Sequence, residues 1–245
     1  MSFSYNLLSI SFALLLVFAS CEDNKKSSEA KTKAANVAVT DTISEKNNSE
    51  IKDDKKLPDF PKITEENAVE FFTKYGKENP ETKVLITTQY GGIELELYQD
   101  TPLHRANFIY LTKRKYFDGT FFHRVVPNFI IQGGNSDLRS TPEKRADIGK
   151  DYLIPAELKN GRKHSYGSIS GAKEYRENPD KNSIPFEFFI FLGPQTSTSH
   201  LNGNYTVFGK VVKGMDIVEK IADLKTGKLD DWPLQNVYIQ VEILE

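Results

Sequence analysis

The chain has a single cysteine, Cys21, among its 245 residues, so no internal disulfide can form. Its 32 Lys and Arg nearly balance 34 Asp and Glu, and the net charge of −2 gives no electrostatic case for nucleic acid as a partner. Four histidines, one cysteine and the acidic residues form no cluster at metal-ligand spacing, so neither a metal nor another cofactor is expected. The apolar run of residues 7–20, LLSISFALLLVFAS, is too short to span a bilayer as a helix. Aromatic residues are missing from residues 22–59, where Lys, Asp and Glu mingle with Ser, Asn, Thr and Ala. Such a segment cannot bury enough apolar surface to offset its ordering entropy, and it reads as a disordered tether.

These gaps divide the chain. Residues 1–20 end in Ala19-Ser20 just before Cys21, an arrangement similar to a bacterial lipoprotein signal. The likeness implies cleavage before Cys21, lipid on its sulfur and amine, and a protein held at a membrane of the cell envelope by its acyl chains. Phe18 stands where such signals usually carry leucine, and no Lys or Arg precedes the apolar run. The alternative is an ordinary secretory signal, with Cys21 incidental. Residues 21–59 as a flexible coil would average roughly 35 Å end to end, a spacer between membrane and folded domain. Residues 60–81 form a short helical extension. Thr64 to Tyr75 carries Ala68, Val69, Phe71, Phe72 and Tyr75 as apolar positions, with Thr64 as its cap and Gly76 and Pro80 as its end.

Residues 82–245 change character to short β-rich runs. Lys83–Thr88 and Gly92–Tyr98 flank a turn at Tyr90-Gly91-Gly92 and predict a hairpin. Further strands are predicted at residues 167–170, 186–191, 205–211 and 237–244. Thr101-Pro102 opens one helix and residues 214–224 form a second, with Met215, Ile217, Val218 and Ile221 at helical spacing. Many short strands and two helices point to a mainly β protein built as a closed antiparallel barrel.

The run FFHRVVPNFIIQGGN, residues 121–135, carries the chemistry. It sets an arginine, aromatics and an amide on two β-rich runs, with no nucleophile or proton relay. Alternation places Phe129 and Ile131 on one face and Ile130 and Gln132 on the other, unless a bulge intervenes. A permanent cation, an apolar wall and an amide suit a reaction that breaks no bond between heavy atoms.

This run resembles the signature of the cyclophilins, the peptidyl-prolyl cis-trans isomerases. Gly167-Ser168-Ile169-Ser170, Phe188-Phe189-Ile190, Leu201-Asn202-Gly203 and Val207-Phe208-Gly209-Lys210-Val211 follow in the family's order. The resemblance implies a closed eight-stranded antiparallel barrel with a helix capping each end. It further implies that Arg124 is the catalytic guanidinium and that Gln132 contacts substrate backbone and orients the arginine. Phe129, Ile130, Phe189 and Leu201 match the proline pocket, with Ile130 in place of the usual methionine. Ala172 matches the small residue along which substrate backbone runs. His123 reads as structural, because rotation needs no proton transfer.

Several rim positions depart from the family pattern. Lys173 replaces an asparagine whose backbone binds substrate, and Glu187 replaces a glutamine and is expected to pair with Arg124 or Lys173. His200 stands where many members have the tryptophan associated with cyclosporin binding, which implies poor inhibition by that drug. Tyr205 replaces a groove histidine. The loop YRENPDKNSIP, residues 175–185, is longer than in short members and bears on substrate preference.

Three functions are weighed. The first is a monomeric isomerase acting on proline-containing polypeptides and assisting the folding of exported proteins. The second is a non-catalytic module that holds proline segments or acts as a chaperone-like surface, and the third is a structural envelope lipoprotein. Arg124, Phe129 and Gln132 favour the enzyme.

Overall fold

Alternation along β1 (Lys83–Thr88) and β2 (Gly91–Leu97) turns Val84 and Ile86 to the same side as Ile93, Leu95 and Leu97, all of them buried. The antiparallel register pairs Val84 with Leu95 and Ile86 with Ile93, so the two apolar rows form one face. The same logic extends the sheet through β3 (Phe121–Val126), β4 (Ile130–Asn135), β5 (Ser168–Gly171), β6 (Phe188–Phe191), β7 (Val207–Lys213) and β8 (Gln240–Ile243). The computed structural model describes residues 60–173, 177–227 and 230–244. The proposed signal, Cys21 and the tether lie outside these residues. Among the described residues no helix is long and apolar enough to cross a membrane.

The eight strands lie in the order β3-β4-β6-β5-β7-β2-β1-β8 and every neighbouring pair is antiparallel. The expected closed barrel is instead an open, curled sheet. Its edges, β3 and β8, share no ladder. Among the described residues the stretch before β8 touches β3: a bridge joins Phe121 to Tyr238, and the Phe122 N–H donates to the Val237 carbonyl at 3.1 Å. Register shifts at Phe121/Phe122 and Phe122/Arg124 mark bulging in β3, which bends an edge strand and ends regular pairing.

Both expected helices are present, as α2 (Pro102–Lys113) and α5 (Met215–Ala222). Glu157 accepts from the N–H groups of Leu103 and His104, both at 3.0 Å, so a carboxylate serves the positive end of α2. Its Oε2 also lies 2.7 Å from His104 Nδ1, while His104 Nε2 lies 2.9 Å from Ser183 Oγ. This buried chain ties the long loop to α2. Gly171 makes room for it, since a Cβ there would sit 2.5 Å from Ser183 Oγ.

Three helices depart from the two-helix or Thr64–Tyr75 expectations. The extension helix α1 spans Ala68–Glu78, and Thr64 is not its cap; the Thr64 N–H donates to Asn67 Oδ1 at 2.8 Å, and Asn67 is the N-cap residue. Nor does Gly76 end it. A Cβ at Gly76 would lie 3.0 Å from the Ala106 Cβ, so the glycine serves close packing of α1 on α2. Arg105 of α2 caps the C-terminus of α1, donating from Nη2 to the Gly76 carbonyl and from Nη1 to the Asn79 carbonyl, each at 2.7 Å. Phe71, Phe72 and Tyr75 then pack edge-on against Tyr110. The other two, α3 (Ser140–Ile148) and α4 (Thr198–Leu201), have no apolar period to announce them; α3 buries only Thr141 and Ile148.

Candidate functional site

Strand alternation assigns β4 two faces. Ile131 joins the main core, whereas Ile130 joins a separate buried cluster with Phe189, Phe191 and Leu201. Pairing of Ile130 with Phe191 and of Gln132 with Phe189 puts these side chains on one face of adjacent strands. The expectation that Phe129 shares a face with Ile131 is corrected. Phe129 precedes the strand, in a turn where Asn128 has φ 58° and the Phe129 N–H donates to the Val126 carbonyl. Period-two alternation does not reach back through that turn, and Phe129 packs on the Ile130 cluster.

That cluster floors a cavity of about 380 Å³, lined by Arg124, Phe129, Ile130, Gln132, Ala172, Lys173, Phe189, His200, Leu201 and Tyr205. Arg124 and Gln132 are register partners across β3 and β4, so cation and amide stand side by side above the floor. Tyr205 meets Phe189 edge-on at 5.6 Å, and the Lys173 ammonium lies 4.4 Å from the centre of the Tyr205 ring. Burial, with Lys181 nearby, lowers the Lys173 pKa. The His200 ring lies 5.8 Å from Phe129.

Below the floor, His164 stacks parallel on Phe189, with ring centres 5.9 Å apart. Its Nδ1 meets Asn202 Oδ1 and its Nε2 meets Ser170 Oγ, both at 2.9 Å. Burial lowers its pKa against the opposing Asn202 hydrogen bond. Sequence reasoning missed this residue; it belongs to no motif and its role exists only through the stack.

Glu187 departs most from expectation. It does not line the cavity, and it pairs with neither Arg124 nor Lys173. Its Oε2 accepts from Gln132 Nε2 at 3.0 Å and lies 3.5 Å from His123 Nε2, while Oε1 lies 3.3 Å from Arg145 Nη2. Burial raises its pKa, but His123, Arg145 and Gln132 together outweigh this and hold the carboxyl below its ordinary range. The cause of the misreading is geometric: Glu187 sits where the chain enters β6, behind Gln132 rather than beside Arg124. Arg124 instead pairs with Asp231, Nε to Oδ2 at 3.3 Å. Asp231 and Arg145 carried no sequence signal.

Gly134, at the motif's exit, has φ 98°, and a Cβ there would lie 2.1 Å from the Phe186 carbonyl oxygen. Gly134→Ala must push away the backbone that leads into Glu187. We expect it to cost about 2–3 kcal/mol in urea unfolding and to lower activity as well, since Glu187 moves off Gln132.

A second cavity of about the same size, 360 Å³, is lined by Arg145, Lys150, Asp151, Tyr152, Leu153 and residues of the long loop from Glu177 to Phe186. It sets opposite charges and the amides of Asn178 and Asn182 beside Tyr152, Leu153, Ile184, Pro185 and Phe186. In the first cavity the cation and the amide are register partners on adjacent strands above the buried cluster of Ile130, Phe189 and Leu201, and its described lining holds no Ser, Thr or Cys. Such a site can hold an apolar ring and donate hydrogen bonds to a neighbouring amide.

Comparison with known proteins agrees. A family model described as cyclophilin type peptidyl-prolyl cis-trans isomerase/CLD matches residues 83–243. A peptidyl-prolyl cis-trans isomerase of Acinetobacter baylyi is 38% identical over 148 residues, 59% of this chain and 74% of that protein. Peptidyl-prolyl cis-trans isomerase A of Dickeya dadantii is 35% identical over 161 residues, 64% of this chain and 78% of that protein. The crystal structure of a cyclophilin type peptidyl-prolyl cis-trans isomerase from Cryptosporidium parvum superposes with a TM-score of 0.55 at 26% identity, covering 67% of this chain and 98% of that one. A second structure of that protein, determined in the presence of the dipeptide Ala-Pro, matches equally well, with a TM-score of 0.55. The chain belongs to the cyclophilin-type peptidyl-prolyl cis-trans isomerases and is an enzyme of that class.

Proposed function

We propose that X–Pro bonds of polypeptide substrates rotate in the cavity above Ile130, Phe189 and Leu201, with Arg124 as the catalytic group. The observation that carries this reading is the pairing of Arg124 with Gln132 above that floor. The X–Pro bond resists rotation because amide resonance must be broken, at a barrier of roughly 20 kcal/mol. At the top of that barrier the prolyl nitrogen is pyramidal and has regained its lone pair. A guanidinium that donates to this nitrogen binds the twisted amide better than either planar isomer, and that difference in binding is the catalysis. Arginine suits the role because it stays charged and presents a rigid fork of donors. The apolar floor, with Phe129 and Tyr205 at its sides, holds the pyrrolidine ring while the preceding carbonyl swings. Gln132, Ala172 and the backbone at Lys173 receive the substrate chain. His200 and Lys173 form a polar rim that bears on the residues flanking proline.

The test is heteronuclear NMR of the folded domain titrated with an Ala-Pro peptide. We expect shifts centred on Phe129, Ile130, Phe189, Leu201 and Tyr205. Shifts confined to Tyr152 and residues 177–186 would move the site to the second cavity and overturn this reading.

We propose further that Cys21 carries lipid and holds the enzyme at the cell envelope, where exported chains are its substrates. The lone cysteine directly after an apolar run and two small residues supports this. Mass spectrometry of the mature N-terminus checks it, and an unmodified Cys21 thiol would refute the anchor.

A further inference from the structure

Arg124 lies on β3, an edge of the sheet, so no further strand of the ladder confines its side chain on the outer side. An arginine that must aim at one nitrogen needs some other restraint. The loop leading to β8 supplies one. The Val125 N–H donates to the Asp231 carbonyl at 2.8 Å, which ties that loop to the residue next to Arg124. Trp232 pins it again: its ring meets Phe121 edge-on at 5.2 Å, and its Nε1–H donates to Asn236 Oδ1 at 3.2 Å. Between these anchors Asp231 adopts φ 56°, a left-handed conformation uncommon outside glycine, although Asn and Asp tolerate it best. From that backbone its Oδ2 reaches Arg124 Nε at 3.3 Å.

We infer that Asp231 is the positioning residue for Arg124, its carboxylate pairing with the Nε side of the guanidinium from outside the sheet. This inference rests on the proposed role of Arg124. It gives the site two aiming carboxylates, Glu187 for Gln132 and Asp231 for Arg124. Neither lines the cavity. Asp231 is half-exposed, and ion pairs of that kind contribute little to stability. Its effect should therefore appear in turnover and not in folding.

Two variants separate the carboxylate from the backbone. Asp231→Gly keeps the left-handed conformation and removes the acceptor. Asp231→Asn keeps an acceptor oxygen and the same backbone preference. For an Ala-Pro tetrapeptide, Asp231→Gly is expected to lower kcat/KM roughly three- to tenfold, with the fall in kcat and an unchanged urea midpoint. Asp231→Asn is expected to recover most of that loss. In an Arg124→Lys background, which lacks Nε, Asp231→Gly should cause no further loss. Wild-type activity in Asp231→Gly overturns the inference, as does an equal loss in Asp231→Asn or a full additional loss in the Arg124→Lys background. If Arg124→Lys alone turns over like the wild type, the proposed role of Arg124 fails and this inference fails with it. If Arg124→Lys is impaired and Asp231→Gly is not, only the inference about Asp231 falls.

Discussion

Arg124→Ala lowers kcat/KM for an X–Pro tetrapeptide by about 10²–10³-fold while leaving the fold intact. Removing one preorganised donor from a charge-stabilising site costs about 2.7–4 kcal/mol of transition-state stabilisation, and the prolyl nitrogen of the twisted amide is where Arg124 would supply it. The fold tolerates the change because the Arg124 side chain is 31% exposed at a sheet edge and it pairs with a half-exposed aspartate. The stability change should stay within about 0.5 kcal/mol. Arg124→Lys keeps the charge but loses the planar fork, and an intermediate loss is expected. Protease-coupled isomerisation measures the rates, and thermal unfolding supplies the control. An alanine variant as active as the wild type would remove Arg124 from the mechanism, leaving the apolar floor to account for catalysis.

The second large effect is expected behind the cavity. Glu187→Ala leaves the Arg145 guanidinium without its carboxylate and Gln132 Nε2 without its acceptor, at a site where the Glu187 side chain is only 11% exposed. Breaking a buried pair by removing one partner costs about 3–5 kcal/mol, and the partial exposure of Arg145 places the expectation near 3 kcal/mol. Activity should fall as well, for a reason specific to a carboxylate. A carboxylate only accepts, so Gln132 must present its NH₂ to Glu187, and its carbonyl oxygen is left to face elsewhere. Glu187→Gln removes that constraint. It should cost less stability than alanine while still reducing kcat/KM, because the Gln132 amide can then turn either way.

The same residue sets an acid limit on stability. Its carboxyl is held below the ordinary range in the folded protein, so the unfolded chain binds the proton more readily. The stability it contributes is complete above the unfolded carboxyl pKa of about 4.3 and is lost as pH falls through the lower folded value. Urea midpoints at neutral pH and at progressively lower pH should therefore converge for the wild type and Glu187→Gln. A constant gap across that range would show that the charge of Glu187 is not what stabilises the site.

Much of this molecule is legible along the chain. Two-residue alternation marks β1 and β2, and helical spacing marks α5. Motifs carried from the family name the cavity's lining one residue at a time, because a motif records which positions meet even when the chain between them is long. The exceptions have physical causes. Helix α3 buries only Thr141 and Ile148, so no periodic signal exists for it. Gly76 reads as a helix end on propensity, yet packing on Ala106 keeps it helical. Phe129 follows a left-handed turn, which resets the alternation on which its face was assigned.

The ion pairs were decided by tertiary structure alone. Glu187 could have met Arg124 or Lys173 on charge alone; the entry into β6 places it against Gln132 and beside Arg145, 42 residues away in sequence. Asp231 meets Arg124 because a loop folds over the edge of a sheet that curls without closing. Periodicity and motif report contacts made by elements whose geometry repeats. The partner of a charge depends on where loops pass over those elements, and no local pattern in the chain encodes that path.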